Sequence, residues 1–160
     1  MAAQGLEPDL QEGICASARE ILETMASMVP ESVTLMTEPP SWVHQVTGLL
    51  GFTGTTNGTV VVGSSEKLAK AIAAKMLMMA PEELTNFDEA ADAFGEVVNM
   101  LAGNFKNAWV TKGNEMNLSV PTVIHEGSVH VQQRAHAIVT SIRAVVAGEH
   151  LDITIMFEGN

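Results

Sequence analysis

The residues with the most chemical promise are Asp92, Glu96 and Asn99, spaced Asp-x₃-Glu-x₂-Asn within the stretch from Thr85 to Gly113. Residues three and four apart are neighbours on one face of a helix, so this spacing puts two carboxylates and an amide on a single stripe. An amide beside a carboxylate can position a water molecule: its oxygen accepts one of the water's protons and fixes the direction of attack. The carboxylate can pair with a lysine of a second molecule and register the two surfaces. Neither group is a good nucleophile, and neither is expected to carry a covalent intermediate. The pair suits a substrate that is already activated and already bound by metal elsewhere, such as an acyl phosphate on another protein.

These side chains need a rigid carrier, and residues 85–113 supply one. Thr85 with Asp88 three residues on has the form of a capping box, and Lys112-Gly113 has the form of a helix stop. Between them Phe87, Ala90, Phe94, Val97, Val98, Leu101, Phe105 and Ala108 fall on one apolar stripe, the expected core side. The opposite side collects Asp88, Glu89, Asp92, Glu96, Asn99, Gly103, Lys106 and Asn107. Asn99 in mid-helix costs roughly half a kcal/mol relative to alanine, and Gly103 one turn on costs about 1 kcal/mol. Gly103 also leaves bare backbone beside Asn99 and Glu96, a notch where another molecule can come close. The plain alternative is a solvated face whose acids complement the positive helix end. That account serves Asp88 and Glu89, but the dipole effect fades within about the first turn and covers Glu96 poorly.

The rest of the chain reads as two helices and a set of strands. Residues 8–29 carry Leu10, Ile14, Ala18, Ile21, Leu22, Met25 and Met28 at helical spacing, ahead of Pro30. Ser32 to Thr37 reads as a short strand, with Pro39-Pro40 forcing a break. Trp42 to Phe52 and Thr59 to Gly63 flank Asn57-Gly58, a strong hairpin signal. Ser64 or Ser65 caps a helix with Leu68, Ile72, Met76 and Met79 on one face, and Pro81 marks its end. Asn117 to His125 is strand-like but interrupted by Pro121, and Glu126 to Arg134 reads as a loop or an edge strand. Ala137 to Val146 and Leu151 to Phe157 form a second hairpin around a turn at 147–150. The expected fold is therefore an α/β (α+β) layered domain over residues 1–160, with long helices packed on one largely antiparallel sheet.

The totals narrow the function. With 160 residues, 46% hydrophobic content and a net charge of −11, the chain fits one acidic globular domain. Only eight lysines and arginines are present, so nucleic acid and anionic membrane are not expected partners. No basic n-region followed by an apolar segment opens the chain, no run reaches membrane-spanning length, and one cysteine, Cys15, precludes an internal disulfide. A cytoplasmic location is the expectation. No CxxC and no helical His-x₃-His pair with nearby carboxylates exists among His44, His125, His130, His136 and His150, so no metal site is expected. GxSxG, GxxxxGK[ST] and GxGxxG are likewise missing. The ten methionines are expected to fill gaps on core-facing helix sides.

The Asp92-x₃-Glu96-x₂-Asn99 pattern, continued through Met100-Leu101-Ala102 to Gly103, resembles the signature of the CheC/CheX/FliY family of chemotaxis phosphatases. The hairpin and helix before it, from Leu50 through Met79, are similar to that family's glycine-punctuated strand pair. The first helix has Ala16-x₃-Glu20-x₂-Glu23, without the asparagine, so one copy of the motif is present and the chain looks like the CheX branch. The resemblance implies dephosphorylation of a phosphorylated CheY-type response regulator. Glu96 would pair with the regulator's active-site lysine, and Asn99 would orient the attacking water. Asp92 matches the motif's first position and would support docking; Gly103 is read as clearance for the regulator's loops. The Mg²⁺ would belong to the regulator, so no cofactor is expected on this chain. The resemblance also implies a homodimer. The alternative is a non-catalytic binding module for a response regulator or a flagellar switch component.

Overall fold

A computed structural model of the chain describes residues 6–38, 40, 44–126 and 137–158. The readings that fall on Pro39, Trp42 and the segment 127–136, with His130 and His136, lie outside the described residues. Among the described residues there are three α-helices, α1 (Pro8–Met25), α2 (Glu66–Met76) and α3 (Phe87–Thr111), with a short 3₁₀ turn at Pro81–Glu83. Seven strands, β1 (Ser32–Leu35), β2 (Val46–Gly54), β3 (Gly58–Ser64), β4 (Met116–Leu118), β5 (Thr122–His125), β6 (Ile138–Val146) and β7 (Glu149–Phe157), form one sheet. Its order is β1-β6-β7-β3-β2-β4, with β5 also on β2, and every pairing is antiparallel. The expected layered fold is the observed one.

Helix boundaries depart from the sequence reading at their ends. Asn86, not Thr85, caps α3: its side chain accepts from the Glu89 N–H at 3.4 Å, so the helix starts at Phe87. The stop is where it was expected, with Lys112 as the cap and Gly113 at φ +89°. α1 ends at Met25 instead of running to residue 29, because Ser27 turns left-handed at φ +51°. α2 ends at Met76, short of Pro81. Met78 adopts φ +57°, and the N–H groups of Met78 and Met79 return to the Lys75 and Ala74 carbonyls, satisfying the last turn. That leaves Met78 94% exposed, an exception to the core-filling role expected of the methionines.

The helices cover one face of the sheet. Gly48 on β2 marks that face, since a Cβ there would stand 2.5 Å from Val98 and 3.3 Å from the Phe94 ring. By strand alternation Val46, Leu50 and Phe52 share its side. Their partners Val60, Val62, Ile142, Ile153, Ile155 and Phe157 complete a core with Leu22, Leu68, Ile72, Phe94 and Leu101. At the far end, Lys112 on α3 bonds Glu7 (2.8 Å) and Asp9 (2.7 Å) at the start of α1, closing the helical layer.

The opposite face buries polar side chains, Thr47, Ser141, Asp152 and Thr154, together with Val61. Asp152 is 1% exposed and takes Arg143 Nε at 2.7 Å, Arg143 Nη2 at 3.0 Å and His44 Nε2 at 2.8 Å. Burial pushes its pKa up, but the hydrogen bonds and charges of His44 and Arg143 outweigh this and hold it at about 2. Gly63 on the adjacent strand leaves the room that the His44 ring fills. No helix among the described residues is long and apolar enough to cross a membrane.

Candidate functional site

Helix α3 holds the candidate residues by burying everything beneath them. Ala90, Ala93, Phe94, Gly95, Val97, Val98, Leu101, Ala102 and Phe105 all face inward. Phe87 and Ala108, the ends of the expected stripe, are partly buried against the same core. With that side fixed, Asp92, Glu96 and Asn99 have one direction left, and all three are exposed. No hydrogen bond or ion pair among the described residues engages any of the three side chains, so they stand as free acceptors and donors toward solvent.

A groove of about 610 Å³ runs beside them. Its helix wall is Ala91, Asp92, Gly95, Glu96 and Asn99, and its other wall is Leu118 through Pro121 with Val123. Pro121 creates that second wall. It cannot donate to the ladder and so divides the edge strand into β4 and β5, as its position in the sequence suggested. At the break, Ser119 replaces the missing pairing by bonding Gly51 twice: its N–H to the Gly51 carbonyl (2.8 Å) and its Oγ from the Gly51 N–H (2.9 Å). Val120 is pushed out to 85% exposure at the groove rim.

Asp92 and Glu96 also border a second depression of about 520 Å³, shared with Met76, Leu77, Met79, Glu89 and Ala93. The two acids therefore stand as a ridge between a groove walled by the edge strand and one walled by methionines. Asn99 borders the first of these grooves and not the second. Gly103 lines neither; a Cβ on it would meet nothing within 4 Å, so the fold itself makes no demand for glycine there. The residue that sequence reasoning passed over is Gly95. It sits inside the motif, buried, and a Cβ there would meet Val123 at 3.5 Å, an ordinary van der Waals contact, so Gly95 marks where helix and edge strand meet at the groove. Its position one residue before Glu96 on an otherwise well-formed helix was the available signal.

The family model for chemotaxis phosphatase CheX matches residues 46–143, well over half of the chain. The chain belongs to the CheX family. That span contains the whole candidate site, from the first hairpin through α3 and the divided edge strand. Solved structures agree in fold. A CheC-like superfamily protein from Shewanella sp. PV-4 aligns at 27% identity with a TM-score of 0.78, covering 96% of this chain and 100% of that one. CheX from Vibrio vulnificus aligns at 25% identity and a TM-score of 0.77, covering 94% and 99%. A CheX solved in complex with CheY, BeF₃ and Mg²⁺ from Borrelia burgdorferi aligns at 18% identity and a TM-score of 0.78, covering 95% and 99%. No curated protein sequence matches the chain significantly.

Proposed function

We propose that this chain dephosphorylates a CheY-type response regulator by lending Glu96 and Asn99 to the regulator's active site. In this reading Asn99 enters beside the aspartyl phosphate, and its amide oxygen accepts a hydrogen bond from the attacking water, whose proton passes to the phosphoryl oxygens. The water adds to phosphorus in line with the departing carboxylate oxygen, the phosphorus–carboxylate bond breaks, and inorganic phosphate leaves. Glu96 pairs with the regulator's lysine and sets the register of the two surfaces. Asp92 supports docking, and Gly103 gives the regulator's loops clearance. The Mg²⁺ comes with the regulator, and this chain contributes no cofactor. Phosphoryl transfer of this kind depends on positioning and electrostatics, not on covalent chemistry from the helper protein.

The observation that carries the reading is the exposure of Glu96 and Asn99 together, unbonded within the chain, on the groove wall of a buried-faced helix. Membership of the CheX family supports the phosphatase class, and the Borrelia burgdorferi neighbour, solved with CheY, supports the choice of partner. A cytoplasmic homodimer is part of the same proposal. The net charge of −11 works against long-range attraction to an acidic regulator, but screening limits that repulsion beyond about 8–10 Å. The test is decay of the acyl phosphate on purified regulators from the same organism, with and without this protein. Faster decay is expected for one of them. A stable complex with an unchanged phosphate lifetime would replace the reading with that of a binding module.

A further inference from the structure

The fold gathers three ligand-type side chains that stand far apart or out of helical register in sequence. Glu66 opens α2, His125 ends β5 and Glu126 follows it. Their ligand atoms all lie within 4.8 Å of one another. His125 Nε2 stands 3.5 Å from Glu66 Oε2 and 3.7 Å from Glu126 Oε1. Those separations are long for an N–H···O hydrogen bond, which centres on about 2.9 Å. The ring nitrogen is also shut off from solvent and has no hydrogen-bond partner among the described residues. The spacing matches two donors on one tetrahedral ion instead: with zinc–ligand bonds of about 2.0–2.1 Å, neighbouring donors sit roughly 3.4 Å apart.

Each ligand has its own support. The His125 ring stacks on Phe87, centroid to centroid 3.6 Å and 14° from parallel, which fixes where its nitrogens point. Gln45 holds both carboxylate residues. Its side-chain oxygen accepts the Glu66 N–H at 2.8 Å, and its backbone oxygen accepts the Glu126 N–H at 3.0 Å. Lys70 takes the other Glu66 oxygen at 2.9 Å, leaving Oε2 for the histidine side. The Lys70 contact is of the kind that orients a carboxylate ligand in known metal sites. The sequence reading expected no metal because no ligand pair shows helical spacing; here the pairing of β5 with β2 and the start of α2 make the cluster.

We propose that Glu66, His125 and Glu126 form a binding site for a zinc-class divalent cation, with water in the fourth position. The ion would clamp β5 to the first turn of α2, beside the Phe87 ring of α3. Because Pro121 and Val123 wall the groove beside Glu96, that clamp would also fix the groove's width.

The probe is Zn²⁺ alone, added to the chelator-stripped full chain and read by competition with a chromogenic chelator and by thermal melting. The wild type is expected to bind one equivalent and to melt higher with zinc. His125→Phe keeps a ring to stack on Phe87 but removes the donor, and Glu66→Gln removes one carboxylate. Each should weaken binding tenfold or more and abolish the zinc-dependent rise in melting temperature. Glu126→Gln, at an exposed side chain, serves where either of those fails to fold. A wild type that takes up no zinc overturns the proposal. So does a His125→Phe or Glu126→Gln protein that binds zinc as the wild type does.

Discussion

Two sets of polar residues sit on opposite sides of this molecule and are treated in opposite ways. Beneath the sheet, Asp152 is buried and saturated, with one imidazole and a two-pronged guanidinium on its two oxygens. On α3, Glu96 and Asn99 are exposed, and among the described residues the chain gives them nothing to hold. A buried carboxylate without partners would cost several kcal/mol, so Asp152 has to be satisfied internally for the domain to fold. Glu96 and Asn99 carry no such obligation, and their hydrogen-bonding capacity stays open to solvent, as the proposed role requires. Polar groups satisfied inward are architecture, and polar groups left open on a rigid face are what the proposed site needs.

Substitutions can break this contrast. Asp152→Ala should cost about 3 kcal/mol in unfolding free energy, measured by urea titration, because it strands the partly exposed Arg143 guanidinium beside the partly buried His44 ring. Regulator binding by whatever protein still folds should be unaffected. Asn99→Ala and Glu96→Ala should do the reverse. Each should slow assisted phosphate decay by on the order of 10²–10³ while unfolding midpoints stay within about 0.5 kcal/mol of wild type. If either alanine variant were as active as wild type, the assignment of that residue would be wrong.

Acid sharpens the same comparison. The Asp152 pKa is about 2 in the folded chain and 3.8 as a free side chain, so the folded state binds its proton less readily. Its contribution is fully present above about pH 4 and is lost as pH falls toward 2, amounting to roughly 2 kcal/mol. Asp152→Asn should remove most of that slope from a stability-versus-pH curve. The smallest effect belongs to Gly103→Ala. With open space around the added methyl group, it should raise stability by about 1 kcal/mol. If Gly103 serves as clearance for a regulator, the same variant will be more stable and slower at once; if activity holds, the clearance role is refuted.

How far these features could be read without coordinates depended on the range of the interactions involved. The stripe on α3 and the stop at Lys112-Gly113 are local, set by residues within a few turns, and both were readable. So was the break at Pro121, because a missing N–H acts at its own position. The cap failed by one residue, since Thr85 and Asn86 both have capping side chains and only the path of the chain decides between them. The groove beside Glu96 was not readable at all. Its second wall comes from Leu118 to Val123, brought alongside α3 by pairing with β2. The same long-range pairing hides the partnership of His44, Arg143 and Asp152, and the meeting of Glu66 with His125.

Helix α3 has a consequence for how the protein fails when heated. At 25 residues it is a rod of about 37 Å, and Asn99 lies near its midpoint above Val97, Val98, Leu101 and Ala102, all at most 5% exposed. Fraying begins at ends and rarely reaches such a seam before the whole domain comes apart. Backbone amides around Asn99 should therefore rank among the slowest to exchange with deuterium, and catalytic competence should vanish in the same transition as the fold, with no inactive but intact state preceding it.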